Sequence, residues 1–135
     1  MKKNLKNYEI ENIINTLNHS NSFLNNISIK LPAEFRHAVR VNIKTLTERL
    51  SIYEEETKYL IQRYVDSGYA SESDDGTIKF KENYGKLAIK ELNELAAVNN
   101  ELEIVTVENS IIERIKNMDI SMAEEDVLDF FIAEE

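Results

Sequence analysis

PAEFRHAVRVNIKTLTERLSIYEEETKYLIQRYVDSG, residues 32–68, decides the fold. It opens on Pro32, the only proline of the chain, and runs without Gly or Pro to Gly68. A proline suits the first turn of a helix, where its missing N–H is no loss. Phe35, Val39, Ile43, Leu46, Leu50, Tyr53, Leu60 and Tyr64 then recur at steps of three and four, with Thr57 filling the one gap. That spacing predicts one long helix with a heptad-like apolar seam. At 1.5 Å per residue, some 35 residues make a rod roughly 50 Å long. A chain of 135 residues is short for covering such a rod. The seam therefore predicts a partner for this helix, either other helices of the chain or a second copy, and favours a homo-oligomer.

Working outward, Asn7 reads as the N-cap of a first helix, with Glu9 in its first turn and Ile10, Ile13, Ile14 and Leu17 at helical spacing. Phe23 and Leu24 form a short apolar patch, and Ile27, Ile29 and Leu31 alternate with polar residues like a short extended segment. After the long helix, Asp66 to Asp75 is a polar, acidic loop. Asp75-Gly76 is a hairpin-type turn, and Thr77–Phe80 reads as a strand paired with the neighbourhood of Tyr69. Tyr84, Leu87, Leu92 and Leu95 predict a third helix over about 83–98, closed by Asn99-Asn100. Residues 102–107, LEIVTV, read as a strand. Ser110-x-x-Glu113 and Ser121-x-x-Glu124 are capping boxes, each opening a short helix. The expected architecture is a mostly α (α+β) single domain over 1–135. It comprises a long helical hairpin or bundle, a small β-hairpin or sheet, and short C-terminal helices.

Composition narrows the function. The apolar fraction of 42% and charged fraction of 30% fit a folded domain of this length. With no cysteine there is no disulfide, thiol nucleophile or zinc–cysteine site. No stretch has the apolar run of a signal peptide or a membrane span, so the expected compartment is the cytoplasm. The net charge is −9, and it is unevenly spread: residues 1–63 carry +3 and residues 64–135 carry −12. Nucleic acid and anionic membranes repel such a chain.

The resemblance rests on several short stretches. They are Asn7-Tyr8-Glu9-Ile10, Leu31-Pro32 leading into residues 38–44 (AVRVNIK), and Tyr53-Glu54-Glu55-Glu56. Asp75-Gly76 before a strand, residues 91–95 (ELNEL) and the alternating strand after them complete the set. In this order they resemble a family of small, mostly helical proteins from tailed phages and prophages of Gram-positive bacteria. Residues 109–119 follow the pattern least. The resemblance implies a phage origin and brings no activity with it.

No catalytic signature is present: no Gly-rich phosphate loop, no Gly-x-Ser-x-Gly and no His-Glu-x-x-His. His19 reads as a solvated turn residue. Asp66, Asp74 and Asp75 lack the spacing of a calcium loop. The chain is therefore expected to be no enzyme and to need no metal or cofactor. The acidic C-terminal residues, Glu124, Glu125, Asp126, Asp129, Glu134 and Glu135, read as the solvated face of an amphipathic helix, with mimicry of nucleic acid as the sharper alternative.

The strongest functional signal is basic. Arg36, Arg40 and Lys44 stand at i, i+4 and i+8, with His37 beside them, so they share one flank of the long helix. Arginine's planar fork matches phosphate oxygens, and lysine adds a point charge. These four residues are the candidate ligand-binding site. The plainer reading pairs them with carboxylates of the acidic half. Two functions follow. One is a phage anti-defence protein that sequesters a phosphorylated nucleotide immune signal without turning it over. The other is a protein-interaction module that inhibits a host defence protein or serves the virion.

Overall fold

A computed structural model describes residues 1–19, 22, 24 and 30–132. The elements follow in the order β1 (Lys2–Lys6), α1 (Asn7–Asn18), α2 (Ala33–Asp66), β2 (Ala70–Glu72), β3 (Ile78–Phe80), α3 (Tyr84–Ala96), β4 (Asn99–Glu103), α4 (Asn109–Lys116) and α5 (Met122–Leu128), closed by a 3₁₀ turn, Asp129–Phe131. The mostly α class, the long helix, the small hairpin and the short C-terminal helices are all present. No helix among the described residues is long and apolar enough to cross a membrane.

α2 has 34 residues and starts directly after Pro32. It ends where Gly68 adopts φ +78°, a conformation that costs a glycine little. The amides of Ser67, Gly68 and Tyr69 bond back to Arg63, Val65 and Tyr64 and so satisfy the last carbonyls. The chain turns there into the antiparallel β2–β3 hairpin, in which Ala70 pairs with Phe80 and Glu72 with Ile78. Tyr84 and Leu87 of α3 then lie beside Tyr64 and Ser67, while Leu95 and Val98 lie beside Tyr59 and Leu60. α3 thus runs back antiparallel along the second half of α2, the helical hairpin expected from the sequence.

The core is in two parts. The larger gathers Ile10, Ile14 and Leu17 of α1, Phe35, Val39 and Leu46 of α2, and Ile112, Ile115, Leu128 and Phe131 of the C-terminal elements. Phe35 and Phe131 meet edge to face at 5.1 Å between ring centroids. The smaller lies at the far end of α2 and joins Tyr64, Ala70 and Ala88, with Leu60, Ile78, Phe80 and Tyr84 packed around them.

Several expectations are corrected. The apolar seam of α2 is covered by the chain's own elements: Phe35, Val39, Leu46 and Tyr64 are buried, and Ile43, Leu50, Tyr53 and Leu60 are half-buried. The seam therefore gives no reason to invoke a second copy. Asn7 is not the cap of α1 but its first residue, and it is buried, donating through Nδ2 to Leu95 O at 2.8 Å. Asn99-Asn100 ends no helix; it begins β4, which pairs antiparallel with β1 from Lys6↔Asn99 to Lys2↔Glu103. The strand expected at 102–107 is displaced accordingly, and Val107 makes only an isolated bridge to Ile132. Ser110 opens no capping box, because α4 begins at Asn109 after Glu108. The box at Ser121 and Glu124 is present, with both bonds at 3.2 Å. Phe23, Ile27 and Ile29 lie outside the described residues.

Candidate functional site

The basic flank stands on the best-anchored part of α2. Opposite it, Phe35, Ala38 and Leu46 are completely buried. Asn42, one turn on from Ala38, is also fully buried. Its Nδ2 donates to Val105 O and its Oδ1 accepts from Val105 N, both at 2.8 Å, so one side chain serves both polar groups of one peptide position. This clamp fixes the rotation of α2 about its axis. The rotation in turn aims Arg36, His37, Arg40 and Lys44 at solvent, and all four are exposed.

Among the described residues, none forms an ion pair with the flank. The ion pairs among the described residues are Met1 N-terminus–Glu103 (3.3 Å), Lys2–Glu101 (3.1 Å) and Lys116–Asp129 (2.8 Å). None involves Arg36, His37, Arg40 or Lys44. Successive members are about 6 Å apart along the axis, and Arg36 and Lys44 about 12 Å. A single phosphate reaches two of the cations; engaging all of them takes an elongated anion with more than one charged group. Glu34 already occupies the first turn of α2, so the positive end of the helix dipole is partly answered from within.

The flank is open rather than concave. Four clefts among the described residues are not lined by these residues. One of about 710 Å³ lies between β1, α1 and α5. One of about 910 Å³ follows the groove between α2 and α3. One of about 450 Å³ sits at the end of α1 beside His19, and one of about 160 Å³ sits under Tyr69 and Tyr84. Those two tyrosines stack at 4.0 Å between centroids and 8° between planes.

The other candidates resolve into structural roles. Asp75 accepts hydrogen bonds from the Ser73 hydroxyl and the Thr77 amide, which together hold its pKa down at about 2 and close the β2–β3 turn. Among the described residues no three His, Cys, Asp or Glu side chains are grouped to hold a metal. Of the acidic C-terminal set, Glu124 is buried in its capping box and Asp129 holds Lys116, whose pKa is raised chiefly by that bond. Glu125 and Asp126 are exposed, and Glu134 and Glu135 lie outside the described residues. Asn42 was missed by the reading of the sequence, although its place among Phe35, Ala38, Val39 and Leu46 marks a polar residue on the apolar arc. No family model, no curated protein and no solved structure matches the chain.

Proposed function

We propose that the protein is a binding protein without chemistry of its own, and that it sequesters a phosphate-bearing ligand on the Arg36, His37, Arg40 and Lys44 flank of α2. The observation that carries this reading is the unpaired state of that flank on a molecule of net charge −9. A charge-assisted hydrogen bond contributes about 1.5–3 kcal/mol, so two or three on one ligand amount to useful affinity. The spacing of the cations suits a ligand with separated phosphates, such as a cyclic oligonucleotide or an ADP-ribose derivative. The resemblance to small phage proteins supplies a purpose, the withdrawal of a nucleotide signal from a host defence system.

A second reading is favoured by the openness of the flank. An exposed charged face with no concavity suits docking onto an acidic protein, as an interaction module that inhibits a host defence protein would require. Exposed charge pairs contribute little one at a time, so such a complex needs the whole flank.

Calorimetry against cyclic di- and trinucleotides and ADP-ribose derivatives separates the two. Binding that weakens about tenfold or more in Arg36→Ala and again in Arg40→Ala supports the ligand reading, provided mass spectrometry returns the ligand unchanged. Absence of heat with every member of the panel, or affinity indifferent to both variants, leaves the protein-docking reading in its place.

A further inference from the structure

The sheet of β1 and β4 has two strands, so β1 pairs along one edge and leaves the other open. The phase of the ladder says which groups are left over. Ile104 donates to Met1 O at 2.9 Å and Asn7 donates to Val98 O at 3.1 Å, both in the register of the sheet. Bonded and non-bonded positions alternate in an antiparallel pair. Lys3 and Leu5 therefore turn their N–H and C=O to β4, while Lys2, Asn4 and Lys6 turn theirs away. The Lys6 amide donates to Glu9 Oε1 at 3.0 Å. The N–H and C=O of Lys2 and Asn4 make no hydrogen bond among the described residues. That edge borders the cleft of about 710 Å³: Lys2, Lys3, Asn4 and Leu5 line it, and no residue of β4 does. α1 and α5 supply most of the rest of the lining, with Ile13, Val127 and Phe130 as its apolar part. The Lys3 side chain reaches Phe130 O at 2.8 Å and Leu5 is buried, so the inward face of β1 is the one turned to these apolar residues.

We propose that this open edge takes up an extended segment of another polypeptide as a further strand, apolar at the residues turned into the cleft and acidic at those between. The unpaired groups select the occupant. Lys2 and Asn4 each present a donor and an acceptor along one line, at the spacing of every second strand residue, about 7 Å. A second extended backbone matches that set. A helix uses its backbone groups within itself, and a small anion meets only the donors. The ladder sets the side chains too. An added strand continues the pleat of β1, so every second residue follows Lys3 and Leu5 inward, toward Ile13, Val127 and Phe130. The others stand outside, beside Lys2 and Asn4. β4 shows this pattern on the occupied edge: Leu102 is buried, Glu101 and Glu103 are exposed, and Glu101 reaches Lys2 at 3.1 Å. Glu9 and Asp126 line the cleft from α1 and α5, so a carboxylate of the occupant is repelled inside and is left the outer positions. Lys2, Lys3 and Lys6 repel a second β1, which keeps the edge from pairing with its own copy. The volume lies within the usual range of ligand clefts, about 300–1,000 Å³. The inference does not rest on the ligand proposed for α2, since Arg36, His37, Arg40 and Lys44 do not line this cleft.

NMR titration of the full chain with an acetylated, amidated hexapeptide alternating Val and Glu tests it. The Lys2 and Asn4 amides should shift and gain about tenfold or more in protection from exchange, while the Leu102 and Ile104 amides of the existing ladder stay as protected as before. The same peptide N-methylated at its internal amides keeps its side chains and charge but has lost its donors. It should bind about tenfold or more weakly, and a peptide with Lys in place of Glu should also bind more weakly. On the protein, Asn4→Pro removes one N–H at the open edge and none from the ladder, a position where a strand tolerates proline. It too should cost about tenfold or more in affinity, with Leu102 and Ile104 still protected. The methylated peptide reads the same contact on the unaltered protein, so the test survives if that variant loses β1. Equal affinity for the methylated or the lysine peptide would overturn the proposal. So would an absence of any shift at Lys2 and Asn4 up to the solubility of the peptide, or loss of protection at Leu102 and Ile104, which would mean that the peptide displaces β4.

Discussion

Asn42 shows how one residue can fix a surface it never reaches. Its amide makes two 2.8 Å bonds to Val105 in a position with no access to water. Asn42→Ala strands a buried N–H and a buried C=O, each costing about 1–3 kcal/mol, so the loss should be about 2–4 kcal/mol in denaturant unfolding. A cost well under 1 kcal/mol would mean that water replaces the clamp. The sequence marks Asn42 as polar on an apolar arc, yet it holds no hint of Val105, sixty-three residues away, so its partner was not legible. The basic flank was legible in full, because i, i+4, i+8 spacing is local geometry. What the sequence could not supply was whether carboxylates neutralise it, which depends on where other elements lie. Asp75 acts over a shorter range. Its carboxylate is held at a pKa of about 2, below the ordinary 3.8, first by the Ser73 hydroxyl and then by the Thr77 amide. A depressed carboxylate stabilises the fold above its unfolded pKa, and that contribution is lost as pH falls through the folded value. Between pH 3.8 and about 2 the hairpin should therefore weaken, and Asp75→Asn should flatten that part of the acid titration. An unchanged titration by NMR of the Gly76 and Thr77 amides would show that the turn does not depend on this charge.

Legibility fell away where an element's reason for existing lies far along the chain. α2 and the β2–β3 hairpin announce themselves through local patterns, an uninterrupted seam and an Asp-Gly turn. β1 does not. Lys2, Lys3, Asn4 and Lys6 offer no apolar alternation, and Leu5 is the single buried residue of the strand. Its partner, Asn99–Glu103, is equally polar, with Leu102 alone buried. The pairing is made by the ladder itself, by Leu5 and Leu102, by the ion pairs of Met1 with Glu103 and Lys2 with Glu101, and by Asn100, which donates to Leu5 O at 3.1 Å. Those ion pairs are exposed and contribute little, so Leu5 matters most. Leu5→Ala should cost about 2–3 kcal/mol, the low end for a buried leucine at a strand near the surface. The same logic applies to Leu50 in the seam of α2. As part of a covered seam, half-buried against the main core, Leu50→Asp should lower the unfolding midpoint and leave the stoichiometry of the folded protein unchanged. Loss of assembly at full stability would instead return the seam to an interface.

At the scale of the whole molecule, α2 is a rod pinned at both ends and thinly covered between. From Thr47 to Arg63 no residue of the helix is fully buried. On one side of that span lies the large core built on Phe35 and Leu46; on the other lies the small one, with only Tyr64, Ala70 and Ala88 fully inside it. The middle of this roughly 50 Å rod is thus its least covered part. Local opening follows the density of buried apolar contacts, so the two ends should not open together. The small core also holds the hydroxyl of Tyr64 without a hydrogen-bond partner, and burial raises its pKa, with Glu91 nearby adding to the shift. An unsatisfied buried hydroxyl weakens an already small cluster. Amide hydrogen exchange should therefore rank the structure. Residues 35–46 should exchange only on global unfolding. Residues 70–80 of the hairpin and the first turns of α3 should exchange through a cheaper opening that spares the rest. Tyr64→Ala should speed exchange over the hairpin and the start of α3 while leaving residues 35–46 as protected as before, because the two clusters share no residue among those described. Equal protection at both ends, or loss of protection over 35–46 in Tyr64→Ala, would show instead that α2 couples the two cores into one cooperative unit.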